Sequence, residues 1–178
     1  MTPPVLIIPG WNGSGPQHWQ SLWEQAHPEY QRVEQDDWDH PARAAWVGRL
    51  DEYVARSPQP PVLVAHSLGC LLVAHWAAQH RRPVHSALLV APPDLEASAL
   101  TADSDFLPLP TEPLPFPSVL IGSANDDWCE LNRAQRMAQM WGARFVNAGP
   151  CGHINTNAGF GPWSFGEKLL VELLALSS

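Results

Sequence analysis

Ser67 is the residue of this chain best suited to nucleophilic chemistry. It ends the apolar run Val62-Leu63-Val64-Ala65-His66, with small residues two before it (Ala65) and two after it (Gly69), and an apolar, helix-ready run follows. That is the layout of a nucleophile elbow, a strand-to-helix turn sharp enough to push the serine Oγ clear of the backbone. Small flanking residues are expected because the two arms of the turn nearly touch. Ala65 stands where a glycine is usual, and its methyl group is small enough to fit. A serine is a weak nucleophile at neutral pH. It needs a base within hydrogen-bond reach, and the base needs a group that fixes its tautomer and orientation.

For a serine on an elbow, the acid follows a later strand and the histidine follows the last one. His153 fits the base. It lies in Gly149-Pro150-Cys151-Gly152-His153-Ile154-Asn155, after the last strand-like run and before the final helical one. The acid is sought in Ser123-Ala124-Asn125-Asp126-Asp127, beyond Val119-Leu120-Ile121-Gly122. Asp126 is assigned to that role, and Asp127 is read as a helix cap or loop carboxylate. The chain order Ser67, Asp126, His153 is the α/β-hydrolase order. The other histidines are poorer bases. His66 adjoins Ser67, and neighbours on a turn point apart. His75 and His80 lie on the helix after the serine, and His27, His40 and His85 have no constellation around them.

Acyl transfer also needs donors for an oxyanion, commonly two backbone N–H groups. Leu68, at the start of the helix after the serine, and Trp11, in the loop Pro9-Gly10-Trp11, are the candidates. His18 and Trp128 are candidates for the substrate pocket. No metal and no cofactor is expected. There is no Cys-x-x-Cys, and the glycine loop at 10–16 is neither a complete Gly-x-Gly-x-x-Gly nor a Walker sequence with its lysine.

Such a site needs a scaffold that brings distant loops together. Runs at 5–8, 62–65, 86–90, 119–121 and 144–147 read as strands, with a weak strand at 30–34. Apolar spacing predicts helices at 17–26, 42–55, 68–79, 130–141 and 163–176. Residues 92–117 hold seven prolines and no clean period, and read as an excursion over the surface. Alternating strands and helices imply a mainly parallel six-stranded sheet with helices on both faces, in one α/β domain over 1–178. The expected spatial order is 2-1-3-4-5-6. Ligands bind such sheets beyond the carboxyl ends of the strands, where the order reverses. The glycine loop and the Ser67 turn both leave the sheet at that point.

Composition narrows the partners. The 178 residues carry a net charge of -8 with only 10 Lys+Arg. No basic run is present, which argues against nucleic acid and against anionic membranes. No secretory signal and no spanning stretch is apparent. Three widely spaced cysteines suit reduced thiols in a cytoplasm. The nine tryptophans are expected to fill the core, with a few lining a pocket.

With these residues in hand, the chain resembles the retinoblastoma-binding protein 9/YdeN family of small serine hydrolases. The opening segment Pro9-Gly10-Trp11-Asn12-Gly13-Ser14-Gly15-Pro16-Gln17-His18-Trp19-Gln20 looks like that family's first motif, and Ala65-His66-Ser67-Leu68-Gly69 like its elbow. Ser123-Ala124-Asn125-Asp126-Asp127 is similar to its acid motif. Gly152-His153-Ile154-Asn155 with Gly159-Phe160-Gly161-Pro162-Trp163 is similar to its histidine block. The resemblance implies a compact α/β-hydrolase fold without a cap domain, a Ser67–Asp126–His153 triad, and esterase-like hydrolysis of a small acyl substrate. Family acid motifs often place proline after the acid, where this chain has Asp127, so Asp127 stays an alternative acid. The chain lacks Leu-x-Cys-x-Glu, so binding to the retinoblastoma protein is not carried over. Two other readings share the scaffold. One is a catalytically inactive binding domain, with Trp11 or Trp128 filling the pocket. The other is a flavodoxin-like cofactor-binding protein.

Overall fold

The computed structural model describes residues 2–97, 101 and 103–176. The strands are β1 (Val5–Ile8), β2 (Gln31–Arg32), β3 (Val62–His66), β4 (Ser86–Val90), β5 (Ser118–Gly122) and β6 (Arg144–Asn147). The α-helices are α1 (Trp19–Ala26), α2 (Arg43–Arg56), α3 (Leu68–Gln79), α4 (Leu131–Met140) and α5 (Ser164–Leu174). The strands form one sheet in the order β2-β1-β3-β4-β5-β6, and every pairing is parallel.

Successive strand residues point to opposite faces, and both faces are covered. Leu6, Ile8, Leu63, Ala65, Leu89 and Leu120 join a core with Trp46 and Leu50 of α2, Leu71 of α3 and Met137 of α4. Val5, Ile7, Val64, Leu88, Val90 and Ile121 join a second core with Trp19 and Trp23 of α1 and Leu169, Leu170 and Leu173 of α5. This accounts for the near-continuous apolar strands in the sequence. Helix α3 is buried from Leu68 to Ala77, which is why it lacks an amphipathic stripe.

Three local expectations change. The weak strand at 30–34 shrinks to Gln31–Arg32, which pairs only with Leu6 and Ile7 at the sheet edge. Helix α1 starts at Trp19 because the His18 side chain caps it, Nδ1 accepting from the Gln20 N–H at 3.2 Å. Residues 92–117 are more than a surface excursion. Leu95, Phe106, Leu109 and Phe116 are buried, and the Phe106 ring meets Trp46 and His75 edge-on. Its prolines supply no N–H for a ladder, so side chains anchor the segment. Trp141 Nε1–H donates to Pro110 O at 2.9 Å.

Candidate active site

Strand β3 ends at His66 and α3 begins at Leu68, so Ser67 makes the turn by itself. Its backbone sits at φ 54°, ψ -127°, a strained conformation for a residue with a Cβ. The Ser67 N–H still donates to Val90 O at 2.9 Å, so the β4 strand steadies the turn. Glycines make room for it. A Cβ on Gly69 would strike the Ile8 carbonyl oxygen and lie 2.9 Å from Pro9 O. A Cβ on Gly10 would lie 2.8 Å from Ser67 Cβ and 2.9 Å from Leu68 N. The end of β1 and the loop after it therefore require a glycine at position 69. Ala65 instead belongs to the buried core on the α2–α3–α4 face, where a methyl group is welcome.

The structure brings Ser67, His153 and Asp126 together. His153 Nε2 lies 2.9 Å from Ser67 Oγ, and Nδ1 lies 2.9 Å from each Asp126 carboxylate oxygen. An ionised carboxylate only accepts, so Nδ1 carries the proton and Nε2 is left to accept from the serine hydroxyl. The Asp126 side chain is 2% exposed and that of His153 11%. Asp126 Oδ1 also accepts from the Trp128 N–H at 2.9 Å, which fixes the carboxylate beyond the end of β5. Asp127 is exposed. It does not cap α4 either, because the N-cap position there is Glu130.

The loop carrying His153 is pinned residue by residue from other elements. Ser123 Oγ accepts from Cys151 N–H at 2.9 Å, and Asn125 Oδ1 accepts from Gly152 N–H at 2.7 Å. His66 Nε2–H donates to His153 O at 2.9 Å. Trp19 Nε1–H donates to Ile154 O at 2.9 Å. These bonds hold Ile154, fully buried, at φ 46°, which a β-branched residue adopts only when its surroundings compel it. Sequence reasoning set His66 aside because it adjoins the serine. It is not positioned as a base, but it ties the elbow to the loop that carries His153. Ser123, Asn125 and Trp19 were likewise missed in this role. No periodicity or motif chemistry marks a side chain that bonds a backbone far along the chain.

His66 sits between the rings of His18 and His153, at centroid distances of 4.7 and 5.0 Å. Burial, reinforced by those two neighbours, pushes its pKa well below the ordinary histidine value. Burial likewise lowers His18, from 6.5 to about 4, with smaller contributions from Arg32 and His153. Both rings are thus neutral at pH 7. His18 Nδ1 is occupied as an acceptor from Gln20 N–H, so its proton is on Nε2, which is buried without a partner among the described residues.

A cavity of about 710 Å³ opens above Ser67 and His153, with Trp11, Leu68, His18 and Trp128 in its wall. Trp11 and Trp128 are 47% and 45% exposed, and their rings meet edge-on at 6.5 Å. The Trp11 indole is fixed by its Nε1–H donating to Asp39 O at 2.9 Å. Among the described residues, no group of three or more His, Cys, Asp and Glu side chains is placed to hold a metal ion. No described helix is long and apolar enough to cross a membrane.

The sheet order and the serine turn after β3 define a compact α/β-hydrolase-like fold. The Serine hydrolase family matches the chain over residues 5–172, and the chain belongs to that family, on its YdeN-like side. It is similar to a protein from Pectobacterium atrosepticum described as a YdeN-like hydrolase, at 34% identity and TM-score 0.89, over 97% of this chain and 91% of that one. The ydeN gene product of B. subtilis shares the fold at 19% identity and TM-score 0.82, over 98% and 100% of the two chains. So does a monoacylglycerol lipase from Paleococcus ferrophilus, at 11% identity and TM-score 0.70, over 99% and 96%. No curated protein matches the chain.

Proposed function

We propose that this hydrolase cleaves esters or related acyl bonds through an acyl-enzyme on Ser67. The observation that carries the reading is the unbroken hydrogen-bonded line from Asp126 through His153 to Ser67 Oγ. His153 takes the serine proton as Oγ attacks the acyl carbon, then gives it to the departing alcohol. Asp126 keeps the imidazole in its tautomer. Water, deprotonated by His153, then clears the acyl group.

The backbone N–H groups of Trp11 and Leu68 hold the oxyanion. Among the described residues neither donates to a protein acceptor, which supports their being free for substrate. The close approach of Gly10 to Leu68 N supports both loops sharing one pocket, and the first turn of α3 adds its dipole. The cavity volume favours catalysis over an inactive site plugged by tryptophan. His18 and Trp128 contact the substrate. The free cysteines Cys70, Cys129 and Cys151 fit a reducing compartment such as the cytoplasm.

Kinetics with p-nitrophenyl acetate test this. The protein should turn over the ester, and Ser67→Ala and His153→Ala should each remove nearly all of the rate. A folded Ser67→Ala variant with unchanged turnover would overturn the assignment.

A further inference from the structure

The chemistry of the cavity wall says more about the substrate than the catalytic residues do. Beyond Ser67 and His153, the wall combines apolar surface with side chains that hydrogen-bond without a full charge, among them Asn12, Ser104, Asn155, Thr156 and Asn157. Among the described residues its carboxylate is Asp103, and neither lysine nor arginine lines it. Arg32 is engaged by Glu24, and Arg133 by Asp94 and Glu96.

Three substrate classes can be weighed against this wall. A long aliphatic acyl chain would cover amide, hydroxyl and carboxylate groups without replacing their hydrogen bonds to water, which is unfavourable for each of them. The apolar lining is more aromatic than aliphatic, with Trp11 and Trp128 beside Leu68, Leu95, Pro41 and Pro93. A phosphate- or carboxylate-bearing substrate would meet a carboxylate and, among the described lining residues, no lysine or arginine, on a chain of net charge -8. A hydroxyl-rich, uncharged substrate fits. Its hydroxyls pair with the neutral donors and acceptors and with Asp103. Its apolar C–H face can lie on an indole, and Trp11 offers one that is half exposed and held in place by Asp39. The 710 Å³ of space lies within the range of about 300–1,000 Å³ usual for small-molecule sites.

We propose that the substrate is a short-chain acyl ester of a polyol, a sugar ester being the simplest case. This rests on the acyl-hydrolase reading above. In the step concerned, the Ser67 Oγ–acyl carbon bond forms and the bond from acyl carbon to sugar oxygen breaks. The proton taken by His153 leaves with the sugar hydroxyl, and water releases the carboxylic acid.

The test compares initial rates of the full chain on methyl 6-O-acetylglucoside, ethyl acetate, p-nitrophenyl octanoate, acetylcholine and acetyl-coenzyme A, with p-nitrophenyl acetate as a reference. The sugar ester should exceed ethyl acetate in kcat/KM by at least about tenfold, because a site built to bond hydroxyls discriminates against analogues without them. In Asp103→Asn and Trp11→Ala, that ratio should fall several-fold. If p-nitrophenyl octanoate outruns p-nitrophenyl acetate, if the choline ester or the thioester outruns the sugar ester, or if the sugar ester is no better than ethyl acetate, the substrate assignment is overturned while the hydrolase reading stands. If even p-nitrophenyl acetate is untouched, the hydrolase reading itself fails, and this proposal with it.

Discussion

Replacing His66 by phenylalanine isolates one hydrogen bond of the site. The imidazole is 5% exposed and packs at steep angles against the rings of His18, Trp19 and His153, so a phenyl ring keeps the packing. What disappears is the Nε2–H that donates to His153 O at 2.9 Å. Leaving a buried carbonyl without its donor costs about 1–3 kcal/mol. For a chain of this length, each kcal/mol lowers the melting temperature by about 2–4 °C. The same carbonyl belongs to the residue whose Nε2 must reach Ser67 Oγ. A displacement near 1 Å at a reacting group can lower the rate by about 100-fold. The expected result is a folded variant with kcat down by roughly 10- to 100-fold and KM little changed. Steady-state kinetics on p-nitrophenyl acetate, with a thermal melt alongside, measure both. His66→Gln, whose amide can still donate, should recover part of kcat. A His66→Phe variant that melts earlier but keeps wild-type kcat would refute a positioning role and leave His66 a packing residue.

Further outcomes follow from the same geometry. Gly69→Ala should lower stability by about 1–3 kcal/mol and reduce turnover, because its methyl meets the Ile8 and Pro9 carbonyls; urea titration and kinetics check both. Asp126→Asn should lower kcat by about 10⁴-fold, as loss of the correct tautomer does in a comparable triad. Asp127→Asn should leave kcat near wild type, and the reverse pattern would move the acid to Asp127. Acid should destabilise the fold. His18 stays neutral in the folded chain down to about pH 4, whereas unfolded it takes a proton near 6.5. The unfolded state thus binds more protons between those values, and stability falls as pH drops through that window. The loss attributable to His18 is about 3 kcal/mol, in the same direction as that of His66. His18→Asn, which can still cap α1, should flatten the decline in urea melts at pH 7, 5.5 and 4.5. An unchanged slope would contradict it.

The sheet was legible because its strands are buried on both faces and therefore read as unbroken apolar runs. Val5–Ile8 and Ser86–Val90 are the clearest. Edges and ends were less legible. Gln31–Arg32 has a single strand neighbour, and the 3-10 turn at Thr156–Ala158 is too short to leave a period. The site divides in the same way. Ser67, Asp126 and His153 could be named because each follows a strand in a fixed chain order. The bonds that hold them could not. Trp19 to Ile154 O, His66 to His153 O and Asn125 to Gly152 N join residues distant in sequence, through side chains that look ordinary where they stand. Residues 92–117 misled for a related reason. Proline obscures the pattern, while Phe106 and Leu109 enter the core singly.

The central claim is that Ser67 is the activated nucleophile of an acyl hydrolase. Peptide mapping by mass spectrometry after treatment with a fluorophosphonate probe tests it most directly. One adduct is predicted, on the peptide containing Ser67, absent in Ser67→Ala and formed far more slowly in His153→Ala. A folded wild-type protein that takes no adduct at Ser67, or that is labelled at another serine at the same rate in all three proteins, would contradict it.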